Sequence, residues 1–345
     1  GVVGGDDDDA VAAAVEQARR LITVPPMTLE EMSDKLQQPA GLNKVDLNVM
    51  LKNLRKMGPG TYHSLPEGAR AGLMALVAAR LPTMRAIEEL RTLASLAMIG
   101  VDADAMRGTA VERSFVAKLA AGHDLAAFPL ALCLDILATM SYSWSRDVVH
   151  RLGVSRPLER AMKRQALSQK VYTPTYFLDA LRTMGVDFNR DVAGSPTFLL
   201  AVDHCLRWRM DQMRPRDVAK GLTYLADLGC EWGRDVEGTL RMDREWNDAV
   251  RVNAPRMKPR EKVQLVHVLG RMRYRLGRGN NLSLSELLQA LRGVALRPAD
   301  AALVWEALGR MGATPQGLKD YRLLVSDAPP AAAGDAGRRA GRQRW

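Results

Sequence analysis

The residues best suited to chemistry in this chain are basic side chains that recur at a constant spacing. One series, near the ends of predicted helices, lies 44 residues apart at Lys163, Arg207 and Arg251. In a stack of equal helical units these positions form a ridge with rungs ~10 Å apart, and a ridge of cations matches the phosphates of a nucleic-acid strand. The alternative is that the side chains complement helix dipoles and stay hydrated.

A second basic series lies in the predicted turns between helices. Lys170, Arg214 and Lys258 are also 44 residues apart, and Arg297 follows after 39 residues. Because both series keep the same register, we expect the second to line the RNA path as well.

Two segments place an aromatic ring between arginines. An aromatic ring beside a guanidinium suits stacking on an unpaired base. A partly buried ring flanked by hydrated charges is the alternative. The segments are Arg207-Trp208-Arg209 and, close to Arg271, Arg273-Tyr274-Arg275.

The residue types needed for catalysis do not occur at useful spacings. None of the five histidines has a second histidine at a paired metal-ligand spacing. Asp203, His204 and Cys205 are adjacent, but neighbours on a helix point in different directions. We therefore expect no enzymatic activity, cofactor, bound metal or small-molecule substrate.

A longer repeat positions these basic residues. The triplet Arg-Asp-Val starts at Arg146, Arg190 and Arg234, and each copy follows a large aromatic by two positions. Such a register is typical of repeat arrays, whose units bury their apolar faces by stacking. We expect the aspartates to cap the following turn or helix, the arginines to pair with neighbouring repeats, and the aromatics to lie between units. The aspartates are Asp147, Asp191 and Asp235, and the aromatics are Trp144, Phe188 and Trp232.

Seven apolar anchors mark the end of one helix, helix B, in each predicted unit. Their intervals are 42, 41, 44, 44, 44 and 39 residues, and the preceding apolar residues recur three and four positions apart, as in an amphipathic helix. The sequence therefore predicts an all-α fold, a right-handed α-solenoid of about seven helix-turn-helix repeats of 39–44 residues. The anchors are Met57, Ile99, Met140, Met184, Leu228, Met272 and Met311.

Prolines and capping boxes predict where helices begin. Pro215, Pro259 and Pro298 each lie 13 residues before an anchor, where proline can open a helix but cannot sit inside one. Capping boxes are predicted over residues 28–31, 64–67 and 283–286. We divide the chain into a lead-in with a helix (1–40), the repeat array (41–320) and a basic tail (321–345).

The composition favours a polyanion as partner. The chain has 49 Lys and Arg against 39 Asp and Glu, a net charge of +10, which suits RNA. Residues 251–278 alone contain nine basic side chains and one acid, Glu261. No apolar stretch approaches the ~18 residues that span a bilayer, so no membrane partner is expected. Cys133, Cys205 and Cys230 lie in apolar runs and are predicted to be buried free thiols in a reducing compartment.

Three helix B segments share a pattern that ends in Leu-Gly or Met-Gly. They are Phe177–Gly185, Leu222–Gly229 and Val304–Gly312. These segments resemble the helix B motif of the octotricopeptide-type repeats, a family of organelle helical-repeat proteins, and the resemblance covers roughly residues 40–320. It implies an α-solenoid that binds organelle RNA. The units here are longer than the family's, and its proline-rich Glu-Trp signature is present only as Glu245-Trp246.

The resemblance implies roles in transcript stabilisation, RNA processing or mitochondrial ribosomes. We expect a non-enzymatic subunit of a mitochondrial ribosome in the matrix, which holds ribosomal RNA beside other proteins of that ribonucleoprotein assembly. The alternatives are a free, transcript-specific maturation or stability factor, a location in the chloroplast stroma, and a HEAT-like protein–protein scaffold.

The basic tail provides a first prediction. Arg338, Arg339, Arg342 and Arg344 follow a linker of small residues, and a segment without an apolar face orders only against a partner, here an anionic one. Limited proteolysis should remove the tail from the free protein, and bound RNA should protect it. Equal cleavage with and without RNA would contradict this prediction.

Overall fold

The structure, a computed structural model, describes residues 27–121, 127–167, 174–277, 281–291 and 296–313. Within these ranges every regular element is a helix and no strand occurs. The all-α prediction is therefore confirmed for this part of the chain. Residues 1–26 of the predicted lead-in, Lys170 and the basic tail lie outside the described residues.

The longer helices of the described residues alternate between two classes. The odd-numbered helices correspond to helix A: α1 Leu29–Gln37, α3 Glu67–Arg80, α5 Ala110–Ala120, α7 Ser155–Leu167, α9 Pro196–Arg209, α11 Asp243–Asn253 and α13 Leu284–Leu291. The even-numbered helices correspond to helix B: α2 Lys44–Met57, α4 Ala86–Met98, α6 Ala127–Thr139, α8 Pro174–Thr183, α10 Pro215–Asp227, α12 Pro259–Arg271 and α14 Pro298–Arg310.

The connection after helix B is itself helical after α2, α4, α6, α8 and α10. Single α-turns, Thr61–Ser64 and Ala103–Met106, follow α2 and α4. The three Arg-Asp-Val copies lie in π-helical segments, Trp144–Arg151, Phe188–Val192 and Trp232–Thr239, after α6, α8 and α10. The three copies of the triplet therefore adopt the same local structure, a π-helical turn after helix B.

The chain forms two compact units, residues 1–162 and 163–345. In the first unit α2 packs on α4 and α4 on α6, while α1 packs on α3 and α3 on α5. In the second unit α8, α10, α12 and α14 pack on one another in chain order. Each unit thus stacks successive B helices, as expected for repeats that bury their apolar faces against neighbours.

Six of the seven described B helices, all except α2, end in the same left-handed cap. The residue after each anchor has a positive φ, and glycine takes this position as Gly58, Gly100, Gly185, Gly229 and Gly312, while Ser141 and Arg273 take it in the other two repeats. In six repeats the next backbone N–H donates to the carbonyl of a leucine five residues earlier, at 2.9–3.1 Å. This is the Schellman arrangement, which ends a helix and satisfies its final carbonyls.

A backbone hydrogen bond joins one repeat to the next inside each unit. The N–H donor lies in the turn after one helix B, and the acceptor is the anchor carbonyl of the following helix B. Because the last carbonyls of a helix lack internal donors, the bond satisfies a polar group and fixes the register between repeats. The bonds are Tyr62 to Ile99 (2.9 Å), Ala103 to Met140 (2.7 Å), Phe188 to Leu228 (2.7 Å), Trp232 to Met272 (2.7 Å) and Leu276 to Met311 (3.4 Å).

The predicted helix starts are mostly confirmed. Pro215, Pro259 and Pro298 are the first residues of α10, α12 and α14. The capping boxes at 28–31 and 283–286 form with both reciprocal hydrogen bonds.

The predicted capping box at 64–67 is wrong. The hydroxyl of Ser64 donates to the Gly60 carbonyl at 3.3 Å, because Ser64 belongs to the α-turn that follows α2. Helix α3 begins at Glu67, after Pro66, without a side-chain cap.

The anchors and aromatics lie in the core. Met140, Met184, Leu228 and Met272 are at most 1% exposed, which confirms their predicted burial. Trp144, Phe188 and Trp232 are buried to the same degree. The first anchor, Met57, differs because 46% of it is exposed.

The left-handed caps provide a test of stability. Gly185→Ala should cost about 1 kcal/mol, because a side chain disfavours the φ of +69° and no atom within 4 Å of the added Cβ compensates. Ser141→Gly should stabilise the protein by a similar amount, since Ser141 has a φ of 60°. Urea denaturation measures both effects.

The matched control is Gly309→Ala. Gly309 lies inside α14, and its added Cβ also meets no atom within 4 Å. Alanine is the better helix former there, so the variant should be more stable by ~0.5–1 kcal/mol. If Gly185→Ala behaved like Gly309→Ala, the left-handed cap would not contribute to stability.

Candidate nucleic-acid interface

In each Arg-Asp-Val copy the aspartate caps the turn that contains it. The carboxylates of Asp147, Asp191 and Asp235 accept hydrogen bonds from the backbone N–H four residues earlier, at 2.9, 2.9 and 2.7 Å. Asp147 and Asp235 are buried. The predicted capping role is confirmed, but the capped turn is the aspartate's own and not the following one.

The arginines of this motif bind their own aspartate. Arg146, Arg190 and Arg234 each donate to the adjacent carboxylate, with closest distances of 2.7–2.8 Å. Their side chains remain 49–61% exposed. The predicted pairing with neighbouring repeats is therefore wrong, because the adjacent carboxylate is already oriented by the backbone and captures the guanidinium.

The first basic series connects adjacent A helices. Arg207 on α9 donates to Glu245 on α11 at 2.5 Å and also to the Leu240 carbonyl. Arg251 on α11 donates to Glu286 on α13 at 2.9 Å. These protein acceptors hold both guanidinium groups, whose side chains remain 37% and 38% exposed, and contact of this ridge with RNA stays a prediction. Their third companion, Lys163 on α7, is half-buried.

The second basic series lies at the N-termini of the B helices. Arg214, Lys258 and Arg297 are the N-cap residues of α10, α12 and α14. The side chains of Arg214 and Arg297 are 79% and 82% exposed, and Lys258 is exposed as well. Since the three helices pack on one another, these residues form a continuous N-terminal edge.

The N-terminal edge combines three cations with three helix N-termini, and each N-terminus also carries one acid in its first turn: Asp217, Glu261 or Asp300. A helix N-terminus carries partial positive charge, and each of the three cations lies directly on one. Arg297 pairs with Asp300 at 2.8 Å, and this hydrogen bond is the largest cause of the lowered pKa of Asp300. The charge of Arg260 on α12 lowers the same pKa further, so a cation of one B helix acts on the first turn of the next.

Tyr274 does not face solvent. Its ring is completely buried, and its hydroxyl donates to Asn247 at 2.7 Å and accepts from the Leu282 N–H. Tyr274 is the second residue after an anchor, and the Schellman cap folds this position back onto the helix. The prediction that the ring stacks on an unpaired base is therefore wrong.

The arginines around Tyr274 differ in their surroundings. Arg271 pairs with Asp227 of the preceding helix B at 2.8 Å, and Arg273 approaches Glu231 at 3.3 Å while 76% of its side chain stays exposed. Arg275 is exposed. Trp208 and Arg209 lie in α9, but their side chains are outside the described part of the structure.

Comparison with known proteins finds no protein-family profile that matches this chain and no curated protein that is detectably similar in sequence. Across the described residues, no group of three His, Cys, Asp or Glu side chains is placed to hold a metal ion. None of the described helices has the length and apolar character needed to cross a membrane.

The cysteines are unsuited to nucleophilic chemistry. Cys133, Cys205 and Cys230 are free and buried, as predicted. Burial raises the pKa of Cys133 and Cys205 to about 12 and that of Cys230 well above its usual value. A thiol that stays protonated is a poor nucleophile.

A cationic groove between α2 and α4 contains candidate residues that sequence reasoning missed. Lys44, Lys52, Arg55 and Lys56 line it from α2, and Arg91 lines it from α4, around a volume of about 610 Å³. The spacing of 8, 11 and 12 positions from Lys44 places the four α2 residues on one helix face. The clustering of these basic residues on one face of α2 is visible in the sequence. A search for basic residues 44 positions apart does not find it.

The buried Asp147 provides a prediction on pH. Burial raises the pKa of this carboxyl, but hydrogen bonds from Arg146, the Ser143 N–H and Arg151 outweigh burial and lower it to about 2. A lowered pKa contributes stability that is complete above the unfolded pKa and is lost as the pH falls through the folded pKa. We expect Asp147 to contribute roughly 2 kcal/mol at neutral pH, lost between about pH 5 and pH 2.

The variant Asp147→Asn should be less stable at neutral pH and lose less stability on acidification. Asp104→Asn is the control, because 74% of the Asp104 side chain is exposed. Denaturant midpoints measured from neutral to acidic pH decide the question. Parallel pH profiles for the wild type and Asp147→Asn would contradict the prediction.

Proposed function

We propose that this chain is a non-enzymatic α-solenoid of about seven helix-turn-helix repeats that binds RNA through its phosphate backbone. The observation that carries the proposal is the N-terminal edge, where Arg214, Lys258 and Arg297 lie exposed on the N-termini of three packed B helices. A helix N-terminus and a cation beside it both attract a phosphate group. Packed B helices bring successive cations to within ~8–10 Å of one another.

The acidic partners on this edge leave room for phosphate. Arg214 pairs with Asp217 and Arg297 with Asp300, each three residues further along the same helix. Exposed pairs of this kind are worth only ~0–1 kcal/mol. A guanidinium that turns to a phosphate oxygen therefore gives up little. Lys258 has no ion-pair partner among the described residues, so it can bind a phosphate without first giving up a carboxylate.

We further propose that the RNA is ribosomal and that the protein is a structural subunit of a mitochondrial ribosome. Support comes from the resemblance to octotricopeptide-type repeats and from the net charge of +10. The protein should then sediment with a ribosomal particle from organelle lysate. A transcript-specific maturation factor would sediment free of it.

A protein–protein scaffold is the second candidate function. It is favoured by one observation: Arg207 and Arg251 are occupied by Glu245 and Glu286 of the adjacent A helices. Charge columns that hold repeats together are what a scaffold requires. Salt dependence separates the candidates, because only binding to a polyanion releases condensed counterions.

The proposal is tested by reversing charge on the N-terminal edge. The double variant Arg214→Glu with Arg297→Glu should bind a fluorescein-labelled RNA oligonucleotide more weakly in anisotropy titrations. Two lost phosphate contacts on a single strand should lower the slope of log K against log salt by roughly 1 to 1.5 units. Folding should survive, since an acid is favourable at a helix N-terminus.

The matched control is Arg182→Glu with Arg310→Glu. These arginines lie at the C-terminal ends of α8 and α14 and also pair with an acid within one turn, so the charge change is identical. The control should retain the wild-type salt slope. Equal slopes for the edge variant and the wild type, or a flat salt dependence of the wild type, would exclude RNA binding by this edge.

A further inference from the structure

We infer that the groove between α2 and α4 is a second binding site, specific for single-stranded RNA with an unstacked base. The inference rests on the proposed function and extends it: the N-terminal edge lies in the second compact unit, whereas this groove lies wholly in the first. Its ligand is a short run of nucleotides whose phosphates bind the rims and whose base covers the floor.

The rims of the groove are cationic and open. Lys52, Arg55 and Lys56 on α2 and Arg91 on α4 are exposed. None of the four has an ion-pair partner among the described residues. Among the described residues of the second unit, by contrast, ten arginines lie within ion-pair distance of a carboxylate. Each helix C-terminus carries a partial negative charge of roughly half an elementary charge. The four unpaired cations therefore exceed the positive charge needed to neutralise the C-termini of α2 and α4.

One end of the groove is closed. Lys44 on α2 forms an ion pair with Glu88 on α4 at 2.7 Å. The free cations therefore lie beyond this bridge, toward the C-terminal ends of the two helices. From Lys52 to Lys56 the helix rises ~6 Å, the distance spanned by roughly three successive phosphates at ~3.4 Å spacing.

The exposed amide of Asn48 lines the groove, and the floor is made of buried side chains. Leu51, Thr92 and Ser95 form it, and all three are buried. The hydroxyl of Thr92 donates to the Glu88 carbonyl at 2.9 Å, and that of Ser95 donates to the Arg91 carbonyl at 2.8 Å. Because both hydroxyl protons are already used within α4, the floor suits the flat face of a base.

Methionines border this floor. Met98 is 48% exposed and Met84 is half-buried, and both line the groove. Thioether sulfur makes favourable contacts with aromatic rings and adapts to different shapes. Large hydrophobic side chains are seldom so exposed in this structure, and Val45, Met57 and Met98 of the same helix pair account for half of the six among the described residues.

This combination distinguishes a single strand from other polyanions. An acidic peptide would bring backbone N–H and C=O groups onto a floor that leaves them unpaired, which is costly. A duplex keeps its bases stacked inside and cannot place one on the floor. An unpaired nucleotide meets both requirements, since its base needs a surface to stack on and its phosphate needs a cation.

The groove is tested in the full chain with a labelled oligouridylate of about eight nucleotides. Lys52→Glu, Arg55→Glu and Lys56→Glu together should weaken its binding at least tenfold and lower the salt slope by about 2 units. The control, Lys35→Glu, Arg107→Glu and Arg113→Glu, makes the same charge change in the first unit outside the groove. It should bind as the wild type does, with circular dichroism confirming that both proteins fold.

The base contact needs its own variant. Met98→Ala removes the exposed thioether without changing charge. It should weaken binding of the oligouridylate several-fold and leave binding of inorganic polyphosphate, which has no base, unchanged. Equal loss for both probes would overturn the assignment of the floor to a base.

Three outcomes would overturn the groove as a site for single-stranded RNA. The groove variant could bind the oligouridylate as tightly as its control, a duplex of equal length could bind the wild type better, or polyglutamate could displace the oligouridylate as well as unlabelled oligouridylate does. If the groove variant is unaffected while Arg214→Glu with Arg297→Glu loses binding, only the groove inference fails. If neither the wild type nor any variant binds RNA, the proposed function fails as well.

Discussion

The hydrogen bond from the turn after one helix B to the anchor carbonyl of the next is the constraint on which the repeats depend. It can form only if helix B stops at the anchor, because a continuing helix would cover that carbonyl with its own N–H groups. The left-handed residue after the anchor provides the stop. The left-handed cap, the hydrogen bond and the stacking of B helices therefore depend on one another. The hydrogen bond forms in all five described copies although their side chains differ.

The same cap decides where side chains point. The second residue after an anchor folds inward, so Tyr274 joins the core and bonds with Asn247. Trp232, the fourth residue after the preceding anchor Leu228, packs with its ring centre 4.5 Å from that of Tyr274. These two repeats are thus joined twice, by the backbone hydrogen bond from Trp232 to Met272 and by an aromatic contact.

The charges fall into two groups with different physical roles. Arg207, Arg251 and Arg271 bridge from one repeat to the next and find a carboxylate on the adjacent helix. The cations of the N-terminal edge and four of the α2–α4 groove, Lys52, Arg55, Lys56 and Arg91, lie exposed, with partners within one helical turn or with none among the described residues. An RNA strand would engage the second group and leave the first in place. Binding and stability are therefore separable by mutation.

The sequence by itself determined most of the long helices, several of their ends and their register. The spacing of 44 residues, the glycine after most anchors and the prolines opening α10, α12 and α14 are local signals, because helix propensity and φ depend on neighbouring residues in the chain. Arg207 and Arg214 show what only the tertiary structure decided. Both belong to series with the same spacing, yet packing brings Glu245 of the next A helix against Arg207 and leaves Arg214 exposed. The partner lies 38 residues away, so no local pattern reveals which cation it neutralises.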